Sequence, residues 1–190
     1  GKNAEGINDL VMADEGIRFD ASLDKLAGLN PVTEGGVITA GNASQITDGA
    51  AAVMVCNDAG LKKIKASPRA EIVSISVVGD DPVFMLTGPI PASFKALESA
   101  NLSIEDMDLY EVNEAFAPVP LAWAEELKAD RLKLNVNGGA MALGHPLGAT
   151  GAKLMTTMLH ELERRDGKYA LQAICEGGGT ANATIIKLTK

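Results

Sequence analysis

Apolar residues recur along the chain at two different spacings, which predict alternating helices and strands. Residues 71–78, 169–175 and 181–188 are short, apolar or alternating runs that are typical of strands. A helical face instead shows in Leu154, Met155, Met158, Leu159 and Leu162. Strands that alternate with helices predict a layered α/β domain. Because the chain ends on two successive strands, we expect the sheet to be mixed.

Shorter signals predict the remaining elements. Predicted helices cover residues 22–26, 57–65 and 92–100, predicted strands cover 107–112 and 133–136, and a loop covers 80–91. Residues 50–56 are small and apolar throughout, which favours a strand covered on both faces, with a buried helix segment as the competing interpretation. Cys56 ends this run and is interpreted as an inert core residue. The helical stripe over residues 116–127 contains two prolines, so its regular helix should be distorted or start late.

The composition narrows the range of partners. The 190 residues are 46% hydrophobic, which suits a domain with a sizeable core. Because the chain carries a net charge of −8, we expect no nucleic-acid partner. The sequence contains no apolar run long enough to span a bilayer, so we expect no membrane partner. Two cysteines and two histidines lie at no ligand-like spacing, which predicts no metal site. The sparse cysteines also indicate a reducing compartment, and we expect the cytoplasm.

One glycine-rich stretch presents a single histidine. Residues 137–151 contain five glycines around His145, and Pro146 keeps that histidine out of the helical region. A helical pattern follows, so the imidazole should stand ahead of a helix N-terminus, where developing negative charge is stabilised. A phosphate loop is excluded, because His145 and Pro146 stand where lysine and serine or threonine belong. An ordinary glycine-rich connector is the alternative interpretation.

Four ordered blocks resemble the C-terminal half of a thiolase. They are the segment 39–51 around Thr-Ala-Gly-Asn-Ala-Ser, Asn-Glu-Ala-Phe-Ala at 113–117, Gly-His-Pro-Leu-Gly-Ala-Thr-Gly at 144–151, and Cys-Glu-Gly-Gly-Gly at 175–179. The resemblance covers nearly the whole chain. It implies a layered mixed sheet with helices on both faces, in agreement with the hydrophobic pattern. It also implies that residues 1–30 lead in from an N-terminal half, and that residues 31–190 form the thiolase C-terminal domain.

The resemblance implies a role for each candidate site residue. Cys175, as a thiolate more reactive than Cys56, is the base that moves a proton at the carbon next to a thioester carbonyl. His145 takes the proton from the acyl-carrying cysteine or donates to a thioester oxygen. Asn113 holds a water of one oxyanion hole, and the backbone N–H of Gly177 serves the other. The residues themselves agree in part, because Asn113 and Cys175 each follow a predicted strand, at the edge where ligands gather. A helix cap for Asn113 and a buried strand end for Cys175 are the alternatives.

The resemblance also implies the substrates and partners. Ser44, Ala40 and Phe116 match positions that contact the pantetheine arm of coenzyme A, so CoA and acyl-CoA are expected as substrates, with no tightly bound cofactor. The family's acyl-carrying cysteine lies in its N-terminal half, and no cysteine here has a matching context. We therefore expect an N-terminal half as partner, a homodimer or tetramer of the full-length form, a role in fatty acid metabolism, and no activity from this chain by itself. His160 lies among charged residues and is interpreted as a surface residue.

Two other functions stay open from the sequence. A hydrolase with Cys175, His145 and Asn113 has the residue types of papain-like enzymes, although their chain order is inverted. A non-catalytic acyl-CoA-binding module is the other alternative. Lipid-transfer relatives in the superfamily depart from Asn-Glu-Ala-Phe-Ala, whereas this chain keeps it, which counts against that alternative.

Overall fold

The computed structural model describes residues 2, 5–8, 10 and 12–189. Its helices are α1 (Leu23–Ala27), α2 (Asp58–Ile64), α3 (Pro89–Ala100), α4 (Pro118–Leu127), α5 (Ala140–Leu143) and α6 (Thr150–Arg165). Its strands are β1 (Ala70–Gly79), β2 (Leu109–Val112), β3 (Tyr169–Cys175) and β4 (Thr180–Leu188). Short 3-10 turns lie at Ile104–Asp106, Arg131–Lys133 and Gly177–Gly179.

Within the described residues, four strands form one mixed sheet in the order β1-β4-β3-β2. β2 and β3 are parallel, with Val112 opposite Ala173. β4 pairs antiparallel with both β3 and β1. The mixed sheet that two closing strands predicted is therefore confirmed, and the parallel pair sends the ends of β2 and β3 to the same edge.

Helices cover both faces of the sheet, which confirms the predicted fold class. α3 and α4 pack on one face around Trp123, which is fully buried. The Trp123 ring lies 5.3 Å from the ring of Tyr110 on β2, centroid to centroid. α6 covers part of the other face, where Met158 and Leu162 pack with Leu109. The helical periodicity that predicted α6 thus corresponds to its buried side.

Local signals predicted the starts of α1 and α2 correctly. The Ser22 side chain accepts a hydrogen bond from the Lys25 backbone N–H at the start of α1, and the Asn57 side chain caps α2 in the same way. The 3-10 turn after Ser103 carries a capping box with Asp106. α4 begins only at Pro118, because a proline is tolerated in the first helical turn, where backbone N–H groups have no partner within the helix.

Three predicted elements differ in the structure. Residues 50–56 pair with no strand in the described ranges, and Met54, Val55 and Cys56 are exposed, so the buried strand and the core role of Cys56 are wrong for this chain. This apolar run would be buried only if another layer packed on it, and no such layer is present among the described residues. The predicted loop at 80–91 is shorter, because the helix already begins at Pro89.

The predicted strand at 133–136 is also wrong. Arg131–Lys133 forms a 3-10 turn whose start is capped by Asp130. Leu134 makes an isolated parallel bridge to Tyr110, and Asn135 has a φ of 46°. This left-handed residue interrupts the extended run and turns its own side chain toward Val112 on β2.

In the part of the chain that the structure describes, no helix combines the length and apolarity needed to cross a bilayer. Over the same residues, no three His, Cys, Asp or Glu side chains are grouped so that they could share a metal ion.

Candidate active site

The sheet brings Asn113 and Cys175 to one edge. Asn113 directly follows β2, and its backbone N–H donates to the Ala173 carbonyl at 3.0 Å, which extends the parallel ladder by one residue. Cys175 is the last residue of the neighbouring β3. Asn113 is only 1% exposed, and its side chain caps no helix, because α4 begins five positions later at Pro118. The capping alternative for Asn113 is therefore wrong.

His145 reaches the same edge from the glycine-rich loop. Its Nε2 lies 3.4 Å from the side-chain Nδ2 of Asn113, and its Nδ1 lies 2.7 Å from the Thr150 hydroxyl. The backbone N–H of His145 donates to the Gln45 carbonyl at 3.0 Å. Gly144 has a φ of 81°, and an added Cβ there would lie 2.4 Å from the Thr47 hydroxyl oxygen, so the loop needs glycine for both its turn and its contact.

The hydrogen bonds around Thr150 assign the tautomer of His145. The Thr150 hydroxyl donates to the Pro146 carbonyl at 3.0 Å, so its oxygen accepts from Nδ1–H of the imidazole. Nε2 of the neutral ring then carries the lone pair, and the Asn113 amide directs an N–H toward it. His145 is thus presented as a proton acceptor at Nε2, facing the sheet edge.

The surroundings of His145 favour its neutral form. Burial lowers the pKa of the imidazole, and the positive charge of Lys153 lowers this pKa further. Lys153 is held in place because its ammonium group donates to the carbonyls of Leu143 and Gly144, both at 2.9 Å. A neutral imidazole near pH 7 is suited to general base catalysis.

Cys175 opens into a turn built from glycines. Gly178 and Gly179 have φ values of 77° and 82° in the turn Gly177–Gly179, a conformation that a side chain would disfavour. Burial raises the pKa of the half-buried Cys175 thiol, and the charge of Glu176 raises it further. These surroundings favour the thiol form of Cys175 in the free site, and its role as the base stays a prediction.

The segment that contains Ser44 and Ala40 lies between residues 113–117 and the loop that carries His145. Ser44 N–H donates to the Ala115 carbonyl at 3.0 Å, and Ala43 forms an antiparallel bridge with Phe116. Ala40 lies exposed in the turn just before this bridge. The structure thus places Ser44 beside Phe116, with Ala40 in the adjacent turn. Ser44 also directly precedes Gln45, whose carbonyl accepts from the His145 backbone N–H. Their contact with coenzyme A stays a prediction.

His160 lies exposed on α6, as expected of a surface residue. The sequence reasoning missed Thr150, although it lies within the block that contains His145. It also missed Glu114, the residue after Asn113, whose carboxylate contacts the His145 loop. The position of Glu114 next to Asn113 could have marked it as a candidate. Its partner Met141, however, is 27 positions away in the chain, so only the fold shows this contact.

Comparison with known protein families assigns the class of this chain. Residues 66–188 match the model of the thiolase C-terminal domain, and residues 1–59 match that of the thiolase N-terminal domain. The chain belongs to the thiolase family. The predicted division at residue 30 stays a prediction.

Individual relatives agree with this assignment. The chain is 61% identical to a steroid 3-ketoacyl-CoA thiolase of Mycobacterium tuberculosis over 92% of its own length and 42% of the relative's. It is 49% identical to the human mitochondrial 3-ketoacyl-CoA thiolase over 94% of the chain and 45% of that protein. A crystal structure of the human enzyme in complex with CoA superposes with a TM-score of 0.86 at 46% identity, covering 95% of this chain and 46% of the other. The chain thus spans about half the length of the curated relatives it matches.

Proposed function

We propose that this chain supplies the proton-transfer part of a CoA-dependent acyltransferase, which condenses two acyl-CoA molecules or splits a 3-ketoacyl-CoA with CoA. The observation that carries the proposal is the 3.4 Å approach of the Asn113 amide to Nε2 of His145, at the sheet edge where Cys175 ends β3. The relatives are named as thiolases, and one structural neighbour holds CoA. CoA and acyl-CoA would be substrates, in contact with Ser44, Ala40 and Phe116.

The proposed reaction needs four groups from this chain. His145, neutral with a lone pair on Nε2, accepts the proton of a nucleophilic cysteine thiol as that sulfur takes up the acyl group. Cys175 exchanges a proton with the carbon next to the second thioester carbonyl, and its raised pKa keeps that proton available on the thiol for product formation. Asn113 and the backbone N–H of Gly177 stabilise the negative charge on the carbonyl oxygens.

The geometry counts against the Cys-His-Asn hydrolase. In such a triad the asparagine accepts a hydrogen bond from the imidazole N–H that faces away from the nucleophile. Here Thr150 occupies that role at Nδ1, at 2.7 Å, and Asn113 directs its amide nitrogen toward Nε2. Asn113 and His145 therefore converge on the same reacting region, the amide as a donor and Nε2 as a proton acceptor.

Comparison with the relatives indicates which class of acyl group the enzyme would accept. Identity to the thiolase named for steroid substrates is 61%, against 49% to the human mitochondrial thiolase. We therefore propose a bulky 3-ketoacyl-CoA as substrate. The full-length enzyme would work as a dimer or tetramer in the cytoplasm. Light scattering tests the oligomeric state. Thiolysis rates for acetoacetyl-CoA and a ring-bearing 3-ketoacyl-CoA test the substrate, and a clear preference for acetoacetyl-CoA would contradict the substrate proposal.

The two histidines of this chain give a matched test of the function. The host is a full-length enzyme that carries this chain, either its parent or a chimera with the N-terminal part of the 61% identical relative. His145→Ala should lower kcat for thiolysis by about 100-fold or more, the scale of a lost general base. His160→Ala, on the exposed side of α6, should leave kcat unchanged. Equal effects of the two substitutions would contradict the proposal.

A further inference from the structure

The carboxylate of Glu114 joins two segments that carry the site. Its Oε1 accepts a hydrogen bond from the Asn135 side-chain N–H at 2.8 Å, and its Oε2 accepts one from the Met141 backbone N–H at 3.1 Å. Glu114 directly follows Asn113, whereas Met141 lies four positions before His145. The side chain is only 9% exposed, so both hydrogen bonds are largely shielded from water.

Asn135 is itself fixed to β2. Its side-chain oxygen accepts from the Val112 N–H at 2.9 Å, and its side-chain nitrogen donates to the Val112 carbonyl at 2.9 Å. The Asn135 side chain thus takes the place of a neighbouring strand beside the last residue of β2, which its left-handed φ of 46° makes possible. Glu114 therefore binds the Asn135 side chain, which is itself hydrogen-bonded to Val112 at the end of β2.

Gly139 leaves room for the Glu114 carboxyl group. A Cβ built on Gly139 would lie 2.1 Å from Cδ of Glu114, too close for any side chain. The φ of Gly139 is −116°, which any residue can adopt, so glycine is needed there for space rather than for its backbone conformation. The loop and the carboxyl group are therefore in direct van der Waals contact.

We propose that Glu114 is a positioning residue that sets the distance between Asn113 and His145, by tying the end of β2 to the loop that carries the histidine. The connection is short on both sides. Asn113 is the adjacent residue, and from Met141 the chain reaches His145 through α5, which is closed by the Gly144 N–H donating to the Ala140 carbonyl at 2.9 Å. The inference rests on the proposed function, in which Asn113 and His145 act in one reacting region.

Asp108 provides a matched control at the opposite end of β2. Its carboxylate accepts two backbone N–H groups, from Lys168 at 2.6 Å and Tyr169 at 3.0 Å, both at the same oxygen, Oδ2. Asp108→Asn removes the charge but can keep both hydrogen bonds on its one amide oxygen, whereas Glu114→Gln also turns an N–H₂ toward one of its two donors. If only the carboxylate charge beside β2 mattered, both variants should have similar consequences.

The test is nitrogen-15 NMR of the imidazoles in the 190-residue chain. His145 and His160 are the two histidines, and the ring signals of His160 serve as internal shift reference. In Glu114→Gln the pKa of His145 should rise toward the ordinary value near 6.5, and the Nδ1–H tautomer should lose its preference, as the loop leaves its buried position. In Asp108→Asn both observables should match the wild type. An unchanged His145 in Glu114→Gln, or equal shifts in both variants, would overturn the proposal.

A second pair of variants avoids dependence on one substitution. Gly139→Ala keeps the carboxylate but adds the colliding Cβ, so it should also raise the pKa of His145. In a Glu114→Ala background that collision is absent, and Gly139→Ala should then add no further shift. Additive shifts in the double variant would overturn the proposal. Because the readout is not acyl transfer, the positioning role can fail while the proposed function stands, or the reverse.

Discussion

The side-chain amide nitrogen of Asn113 lies 3.4 Å from Nε2 of His145, although 32 positions separate the two residues in the chain. Asn113 arrives from the end of a buried strand, and His145 from a loop held by Gln45 and Thr150. The pair therefore depends on both the sheet and the loop. Each contact that holds the imidazole can be tested separately.

Thr150→Val should disturb the His145 tautomer without disturbing the helix. The variant removes the oxygen that accepts from Nδ1–H at 2.7 Å, so a proton can move to Nε2 and block the base. In the full-length enzyme kcat should fall by about 10- to 100-fold, part of the effect expected of a general base. The measurement is thiolysis rate together with imidazole nitrogen-15 shifts.

Thr156→Val is the matched control for this variant. Thr156 also lies on α6, and its hydroxyl donates to a carbonyl four residues earlier at 2.8 Å, as Thr150 does to Pro146 at 3.0 Å. Thr156 makes no side-chain contact with His145 among the hydrogen bonds of the described residues. A kcat for Thr150→Val equal to that of Thr156→Val would show that the hydroxyl does not control the tautomer.

Glu111→Gln should change how stability depends on pH. Glu111 is fully buried, and both its carboxyl oxygens lack a hydrogen-bond partner in the described ranges. Burial raises the pKa of Glu111 to about 8, helped by the negative charges of Glu114 and Glu161. Because the folded form binds this proton more tightly than the unfolded form, the stabilisation is complete below pH 4.5 and is lost as the pH rises to about 8.

The glutamine variant lacks this titration. The free energy of unfolding of the wild type should therefore fall relative to Glu111→Gln between pH 5 and 8, by at most about 1.4 kcal/mol per pH unit. Urea denaturation at pH 5, 6.5 and 8 measures it, and Glu98→Gln on the exposed side of α3 is the control. Parallel pH profiles for wild type and Glu111→Gln would rule out a protonated Glu111.

Local patterns predicted most of the fold, and the errors have a common physical cause. The caps at Ser22 and Asn57 involve contacts within four residues, so the sequence shows them directly. Whether residues 50–56 form a covered strand depends instead on a neighbouring layer, which an apolar run cannot reveal. The exposure of Cys56 follows from the same missing cover.

The candidate site residues follow from local signals in the sequence, whereas the contacts that hold them in place do not. Asn113 at a strand end and His145 among glycines are local signals. The contact of Glu114 with Asn135 depends on the left-handed turn that breaks the predicted strand at 133–136. The raised pKa of Cys175 depends on packing of the strand end rather than on its glycine neighbours.

Ser93→Ala should destabilise the helical layer. The Trp123 indole N–H donates to the Ser93 hydroxyl at 2.8 Å, and that hydroxyl donates to the Pro89 carbonyl at 2.7 Å, all in the buried core. The variant leaves the indole without an acceptor, which should cost about 1–3 kcal/mol of unfolding free energy. Urea titration followed by the fluorescence of the single tryptophan measures this loss. Ser99→Ala, exposed on the same helix, should stay within about 0.5 kcal/mol of wild type, and an equal loss in both would refute the prediction.

Cys56 should react with iodoacetamide faster than Cys175 in this chain, the reverse of the order expected from the sequence. Cys56 is exposed, whereas Cys175 is half-buried and its thiol pKa is raised by burial. Peptide mass spectrometry after brief labelling at pH 7.5 gives the two rates, with urea-unfolded chain as the reference for intrinsic reactivity. Faster labelling of Cys175 under native conditions would contradict the structure's account of its environment.

The central claim is that Cys175 moves a proton and does not carry the acyl group. The most direct test is the intact mass of a full-length enzyme that carries this chain with Cys175→Ala, taken after mixing with acetyl-CoA, alongside its thiolysis rate. We predict that one acetyl group is still attached, on a cysteine other than Cys175, while turnover of acetoacetyl-CoA with CoA is lost. An acetyl group found on Cys175 in the wild type and absent from the variant would contradict the account, as would a variant that retains full turnover.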